Sequence, residues 1–236
     1  MKKCGLLLLF LAVGLSGFSQ KEVKIRKRDR KKDIEVVTTA GVFYLRLSDS
    51  TPLHRDNFLR MVKVHYYDSI LFHRVIKGFM VQAGDPNSKQ APAGKPLGNG
   101  GPDYTIPAEF VPSLFHRKGV LAAAREGDAS NPTKASSASQ FYIVQGKKFT
   151  DAGLDSVVQF RLKGRAIPLA HREVYKTEGG APHLDQSYSI FGEVVSGMAV
   201  IDTIAATPTS KGLDKDRPAT DQRILSMRLV RRKKRN

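Results

Sequence analysis

Apolar and polar residues alternate along residues 43–48, with Phe43, Leu45 and Leu47 on one side and Tyr44, Arg46 and Ser48 on the other. A period of two predicts a strand with one buried face. Residues 33–39 precede it and Ala40-Gly41 can turn, so 33–47 reads as a hairpin. The period then changes. Phe58, Met61, Val62 and His65 recur at i, i+3, i+4 and i+7, predicting a helix with Thr51 as cap and Pro52 at its first position. His65, last on that stripe, reads as a residue at the core edge rather than a ligand. Two strands are expected within 71–83, followed by a Gly- and Pro-rich loop over 84–108. Strand patterns return at 119–124, 140–145, 189–195 and about 223–231, with a short helix at about 198–206. Many short strands and two core helices predict a mainly β fold, a closed antiparallel barrel with helices over its open ends.

Residues 150–182 break this rhythm. Leu154, Val157, Val158 and Leu162 follow a helical spacing, and the segment is bounded by Gly153 and by Gly179-Gly180. It reads as a mainly helical insertion between two strands.

Composition changes the picture at the two ends. Lys2 and Lys3 precede an apolar run over 5–15, and Gly17 and Ser19 stand at −3 and −1 before Gln20. This pattern predicts a signal peptide at 1–19 and an exported protein, periplasmic or envelope-associated. The apolar run is shorter than the ~20 residues of a spanning helix, so no transmembrane anchor is expected. Cys4, the one cysteine, would leave with the signal. The formal net charge of +17 is concentrated at the ends: residues 21–32 hold eight basic and two acidic side chains, and 228–236 hold six basic and none acidic. Residues 20–32 and 231–236 read as basic tails flanking a domain at 33–230. They are either solvated ends or weak contacts for a polyanion, and without interleaved aromatics they predict no specific nucleic-acid binding.

Candidate chemistry lies in Phe72-His73-Arg74-Val75-Ile76-Lys77-Gly78-Phe79-Met80-Val81-Gln82-Ala83-Gly84-Asp85. Arg74 stands a few residues before Phe79, Met80 and Gln82, and no carboxylate, thiol or hydroxyl lies between. Such a set can build an apolar pocket with a cation at its rim, suited to a reaction that needs shape and electrostatics but no covalent step. Strand period places Met80 and Gln82 on one face, and Gln140 and Tyr142 on one face with Phe141 and Ile143 on the other.

The 72–85 segment resembles the signature of the cyclophilins, the cyclosporin-binding family of peptidyl-prolyl cis-trans isomerases. The resemblance covers most of 33–230: Thr51-Pro52 through Asp56-Asn57-Phe58, Tyr67-Asp68, residues 119–124, Ser139 to Ile143, and Phe191 to Val195 with Gly197-Met198 occur in family order. Arg125 after Ala124 is similar to bacterial members. It implies an eight-stranded barrel, a monomer without cofactor or metal, and proline-containing polypeptide segments as partners. Phe79, Met80, Tyr142 and Leu184 would wall a proline pocket. Gln82, Gln140 and the backbone around Ala124 and Arg125 would hold the peptide, and Arg74 would be catalytic. Three departures affect the pocket: Tyr142 replaces a usual Phe and would add a hydroxyl at the pocket edge, His183 in His183-Leu184-Asp185 replaces a Trp important for cyclosporin, and Tyr188 a frequent His.

Other chemistry finds little support. The six histidines show no metal-ligand spacing, and His73 reads as structural rather than as a general base. Gly98-Asn99-Gly100-Gly101 lacks the Lys-Ser/Thr pair and helix of a phosphate loop, and Ser136, Ser137 and Ser139 read as a polar loop before a strand. Two readings remain: an isomerase acting on folding or unfolded exported proteins, and a peptide-binding chaperone module with incidental isomerase activity. The insertion leads into His183 and Leu184, so it either borders the pocket or is a surface excursion.

Overall fold

The computed structural model describes residues 23–232. The predicted signal peptide, and the parts of both basic tails at 20–22 and 233–236, lie outside the described residues. Ten strands and four α-helices follow in the order β1 (Lys32–Thr38), β2 (Gly41–Leu47), α1 (Pro52–Lys63), β3 (Arg74–Ile76), β4 (Met80–Ala83), β5 (Thr105–Ile106), β6 (Val120–Ala123), β7 (Ser136–Ser137), β8 (Phe141–Val144), α2 (Asp151–Phe160), α3 (Leu169–Thr177), β9 (Ile190–Ser196), α4 (Met198–Ala206) and β10 (Ile224–Arg231).

Eight strands form one sheet in the order β10-β1-β2-β9-β6-β8-β4-β3, antiparallel at every junction. The expected barrel does not close. β3 is only three residues long, and no ladder joins it to β10. Isolated bonds span the gap instead: Phe72 N–H to the Gln222 carbonyl (2.8 Å), Ser69 N–H to Ile224 at the start of β10 (2.9 Å) and, from β3 itself, Val75 N–H to Asp216 (2.8 Å). The result is a curled half-barrel.

The alternation read in the sequence divides the packing into two cores. On the concave face Val75, Val81, Ala83, Leu121, Phe141, Ile143 and Phe191 meet α1 and α4. The Phe58 ring lies 4.9–5.3 Å from those of Tyr67, Phe141 and Phe191, a separation typical of favourable aromatic pairs. On the other face Met80, Val120, Ala122, Tyr142, Val144 and Ile190 gather beneath Phe79, Leu184 and Tyr188. This second core supports the candidate site.

Three local expectations are corrected. Thr51 does not cap α1: its side chain is buried and makes no capping bond. The orphan amides of Leu53 and His54 are taken by the distant Glu109 carboxylate, at 3.1 and 3.0 Å, which also suits the positive end of the helix. α1 stops at Lys63, and His65 lies beyond it, exposed and with φ +56°, rather than at the core edge. The basic stretch before β1 is not a free tail where it is described. Ile25 packs on the concave core, Asp29 is buried against Lys63 at 3.0 Å, and Arg30 meets Asp56 at 2.5 Å. Lys32 is already in β1, opposite Arg231 of β10.

The insertion is helical as expected. α2 and α3 close on their own small core of Leu154, Leu162, Ile167 and Tyr175, packed by Phe115 and Phe149. Thr150 caps α2 by accepting from Gly153 N–H at 3.1 Å. Arg165 donates to the Asp185 carbonyl at 2.5 Å, tying the insertion to the segment after it.

Candidate active site

Strand pairing assembles the site. Arg74 on β3 stands opposite Gln82 on β4, and Gln82 stands opposite Tyr142 on β8. Residues far apart in sequence therefore share one face. Arg74 Nη1 donates to Gln82 Oε1 at 3.4 Å, and Gln82 Nε2 donates to Gln140 Oε1 at 3.1 Å. Gln140 Nε2 donates in turn to the carbonyls of Gly98 (2.7 Å) and Gly100 (2.9 Å). The relay orients the Gln82 and Gln140 amides and turns the Gln82 oxygen toward Arg74, whose side chain stays 43% exposed. Asp216 Oδ2 lies 3.7 Å from Arg74 Nε, a loose ion pair on the side of the sheet opening.

Beside this relay is a cavity of about 440 Å³ lined by Arg74, Phe79, Met80, Gln82, Ala124, Arg125, Tyr142, His183, Leu184 and Tyr188, together with His73, Leu97, Gly98, Asn99 and Arg161. Of the residues expected at the site, only Gln140 is not on this wall. It lines an adjoining cavity of about 430 Å³ that shares Gln82, Gly98, Asn99, Ala124 and Arg125. The two cavities adjoin across these five residues. The glycine run that lines the second serves close approach: a side chain at Gly100 would stand 2.1 Å from Asp85 Oδ1. Asp85 holds this loop, accepting from Asn87 N–H (2.8 Å) and Gly98 N–H (2.6 Å).

Several expected roles change in detail. The amide and carbonyl of Ala124 are engaged with Gln140 and Ser137, at 3.0 and 2.8 Å. Arg125 uses its side chain structurally, donating to Ser187 (2.9 Å) and Glu126 (2.8 Å), meeting Asp128 (2.7 Å), and lying 4.5 Å above the Tyr188 ring. His183 lies 5.3 Å from the Phe79 ring, and burial, with help from Arg161, pushes its imidazole down to about 4. It is neutral near pH 7 and behaves as a flat pocket wall. His73 is likewise pushed down to about 4, first by burial, and neither ring nitrogen has a hydrogen-bond partner among the described residues.

Tyr142 carries the largest surprise. Its hydroxyl does not sit at the pocket edge but is buried, and it donates to His116 Nε2 at 2.9 Å. His116 Nδ1 donates to Asp185 Oδ1 at 3.0 Å, and Tyr175 of α3 donates to Asp185 Oδ2 at 2.7 Å. Burial drives both phenols well above the ordinary tyrosine range. A buried polar chain thus runs from the pocket floor into the insertion. The link between His116, Asp185 and Tyr175 leaves no local signal in the sequence, because the bonded partners are 10 to 69 positions apart.

A second constellation imitates a hydrolase triad. His54 Nδ1 donates to Glu109 Oε2 at 2.7 Å, and Ser136 Oγ donates to His54 Nε2 at 2.9 Å. His54 and Ser136 are buried, and the cavity beside His54 measures about 10 Å³, too small for a substrate. These groups fix β7 and its partner β5, where a polar loop was expected. Among the described residues no group of three or more His, Cys, Asp or Glu side chains is placed to hold a metal ion.

A pocket walled by Phe79, Met80, Tyr142 and Leu184, with the Arg74 guanidinium on its wall and a more polar cavity adjoining it, matches a known family. The family model described as cyclophilin type peptidyl-prolyl cis-trans isomerase/CLD matches residues 33–229. A Staphylococcus haemolyticus protein named as a peptidyl-prolyl cis-trans isomerase is 31% identical over 204 residues, covering 85% of this chain and 92% of its own. One from Staphylococcus epidermidis with the same name is 32% identical over 207 residues, covering 86% and 95%. A Cryptosporidium parvum cyclophilin type isomerase crystal structure shares the fold at a TM-score of 0.59 and 23% identity, over 84% of this chain and 97% of that one. With the family's motifs on its site-bearing strands, the chain belongs to the cyclophilin-type peptidyl-prolyl cis-trans isomerases.

Proposed function

We propose that the protein accelerates rotation about X–Pro bonds in folding or unfolded exported proteins, and that Arg74 does so by stabilising the twisted amide. The observation that carries this is the Arg74–Gln82 pair on the wall of the cavity that Phe79, Met80 and Leu184 also line. Amide resonance resists rotation by roughly 18–20 kcal/mol. Twisting the bond localises the lone pair on the proline nitrogen. A guanidinium held at that point donates more strongly to the twisted than to the planar amide, and only such a difference lowers the barrier. A ~10⁵-fold acceleration needs about 7 kcal/mol, within reach of non-covalent contacts.

Each residue then has a part. Phe79, Met80, Tyr142 and Leu184 hold the proline ring, so rotation falls on the acyl side. Gln82 and Gln140 fix the main chain. Arg suits the catalytic place because its donors are rigid and its charge is permanent. The exported substrates are inferred from the pattern of residues 1–19. Among the described residues no helix is long and apolar enough to cross a membrane. The test is two-dimensional NMR exchange on an Ala-Pro peptide: catalysed exchange by the mature protein and its collapse in Arg74→Ala are expected. Full exchange without Arg74 would remove the proposed mechanism, and no exchange with it would remove the activity.

A further inference from the structure

The insertion places one cation at the pocket that the isomerase chemistry does not use. Arg161 follows the last residue of α2 and lines the same cavity as Phe79, His183 and Leu184. Its backbone is fixed: its N–H donates to Val157 at 2.9 Å, and the next residue, Leu162, is buried in the insertion's core. Its guanidinium has no hydrogen bond or ion pair with another described residue. The neighbouring arginines differ, since Arg125 is held by Asp128 and Arg74 faces Asp216.

The cavity wall contains three arginines and no carboxylate. The adjoining cavity, by contrast, includes Asp103 and Glu126. The two adjoining cavities therefore differ in charge: among the described residues Arg161 is the unpaired cation on the insertion side, while Asp103 and Glu126 stand on the other side of the shared Arg125. The imidazole of His183 is pushed down first by burial and next by Arg161, an effect that the opposing Asp185 carboxylate does not cancel.

We propose that the insertion supplies an anion subsite, centred on Arg161, that selects substrates carrying an Asp or Glu beside the proline on the side nearest the insertion. This rests on the isomerase reading and adds a substrate preference to it. A peptide whose proline fills the pocket passes the insertion as it leaves, and a carboxylate there meets an uncompensated guanidinium. Contacts of this partly exposed kind are modest and screened by salt.

The experiment uses the mature protein and peptides with Glu, Lys or Ala on one or the other side of a single proline. NMR exchange gives kcat/KM for each, and the Glu-to-Lys ratio within each protein cancels differences in overall activity. The wild type is expected to favour Glu by roughly three- to fivefold at one flank only, in low salt, as an exposed ion pair allows. Arg161→Gln should bring that ratio near one, and Arg161→Glu should invert it. The wild-type rate on the Ala-flanked peptide tests isomerisation separately. A Glu-to-Lys ratio that is the same in wild type and folded Arg161→Glu at both flanks overturns the subsite, whatever that rate.

Discussion

Replacing Tyr142 with Phe separates a hydroxyl that serves the substrate from one that serves the fold. The ring forms the pocket floor, while the hydroxyl points away, 2.9 Å from His116 Nε2 in a fully buried site. Since His116 Nδ1 is committed to Asp185, the substitution leaves Nε2 as a buried acceptor with no partner. Such a group costs about 1–3 kcal/mol, and one missing oxygen adds little cavity energy. For a domain of this size each kcal/mol lowers Tm by about 2–4 °C, so a fall of roughly 2–12 °C is expected. The ring that lines the cavity is retained, so kcat/KM should change by less than about threefold, under 1 kcal/mol. Thermal or urea unfolding gives the first quantity, and NMR exchange well below the transition gives the second. An unchanged Tm with more than about a tenfold loss of kcat/KM would place the hydroxyl at the substrate and refute the reasoning.

Two other predictions follow from packing and protonation. Deleting residues up to 31 removes the packing of the partly buried Ile25 and the contact of the buried Asp29 with Lys63, and should cost about 1–2 kcal/mol in urea unfolding, the worth of part of one aliphatic chain and one ion pair; a truncated protein as stable as the full one would restore the free-tail reading. His73 and His183, held near 4 in the fold against about 6.5 when unfolded, leave the unfolded chain binding more protons between those values. Stability should be fully present above about pH 6.5 and fall as pH drops toward about 4, and His73→Leu should flatten that slope; an unchanged slope would mean that His73 is protonated in the fold.

How much was legible depended on the range of the interactions. The two-residue period of β2, β4 and β8 and the helical period of α1 are local, so strand faces and the placing of Phe79, Met80, Gln82 and Tyr142 could be read directly. The 198–206 helix is found at the same residues. Closure of the barrel could not be read, because it turns on β3 being too short to pair with β10. Glu109, 55 positions from the helix it caps, leaves no local signal either. The Tyr142 substitution was visible but its direction was not, since that depends on His116 lying beneath β8. The basic run before β1 carries its packing in Ile25 and Asp29, two residues that net charge conceals. Arg161 was one cation among 39 Lys and Arg until the insertion's core fixed where it stands.

The central claim is that Arg74 acts on the twisted amide, and the kcat and KM of Arg74→Ala and Arg74→Lys test it most directly. Losing a charged donor in a site that substrate covers costs a few kcal/mol, so Arg74→Ala should lower kcat/KM by about two orders of magnitude or more. The loss should fall on kcat, because the bond is made in the transition state. Arg74→Lys should recover only part of it, and Phe79→Ala should act mainly on KM. NMR exchange reads both isomers of an Ala-Pro peptide without a coupling protease. Near-normal kcat in a folded Arg74→Ala protein, or a loss confined to KM, would contradict the account.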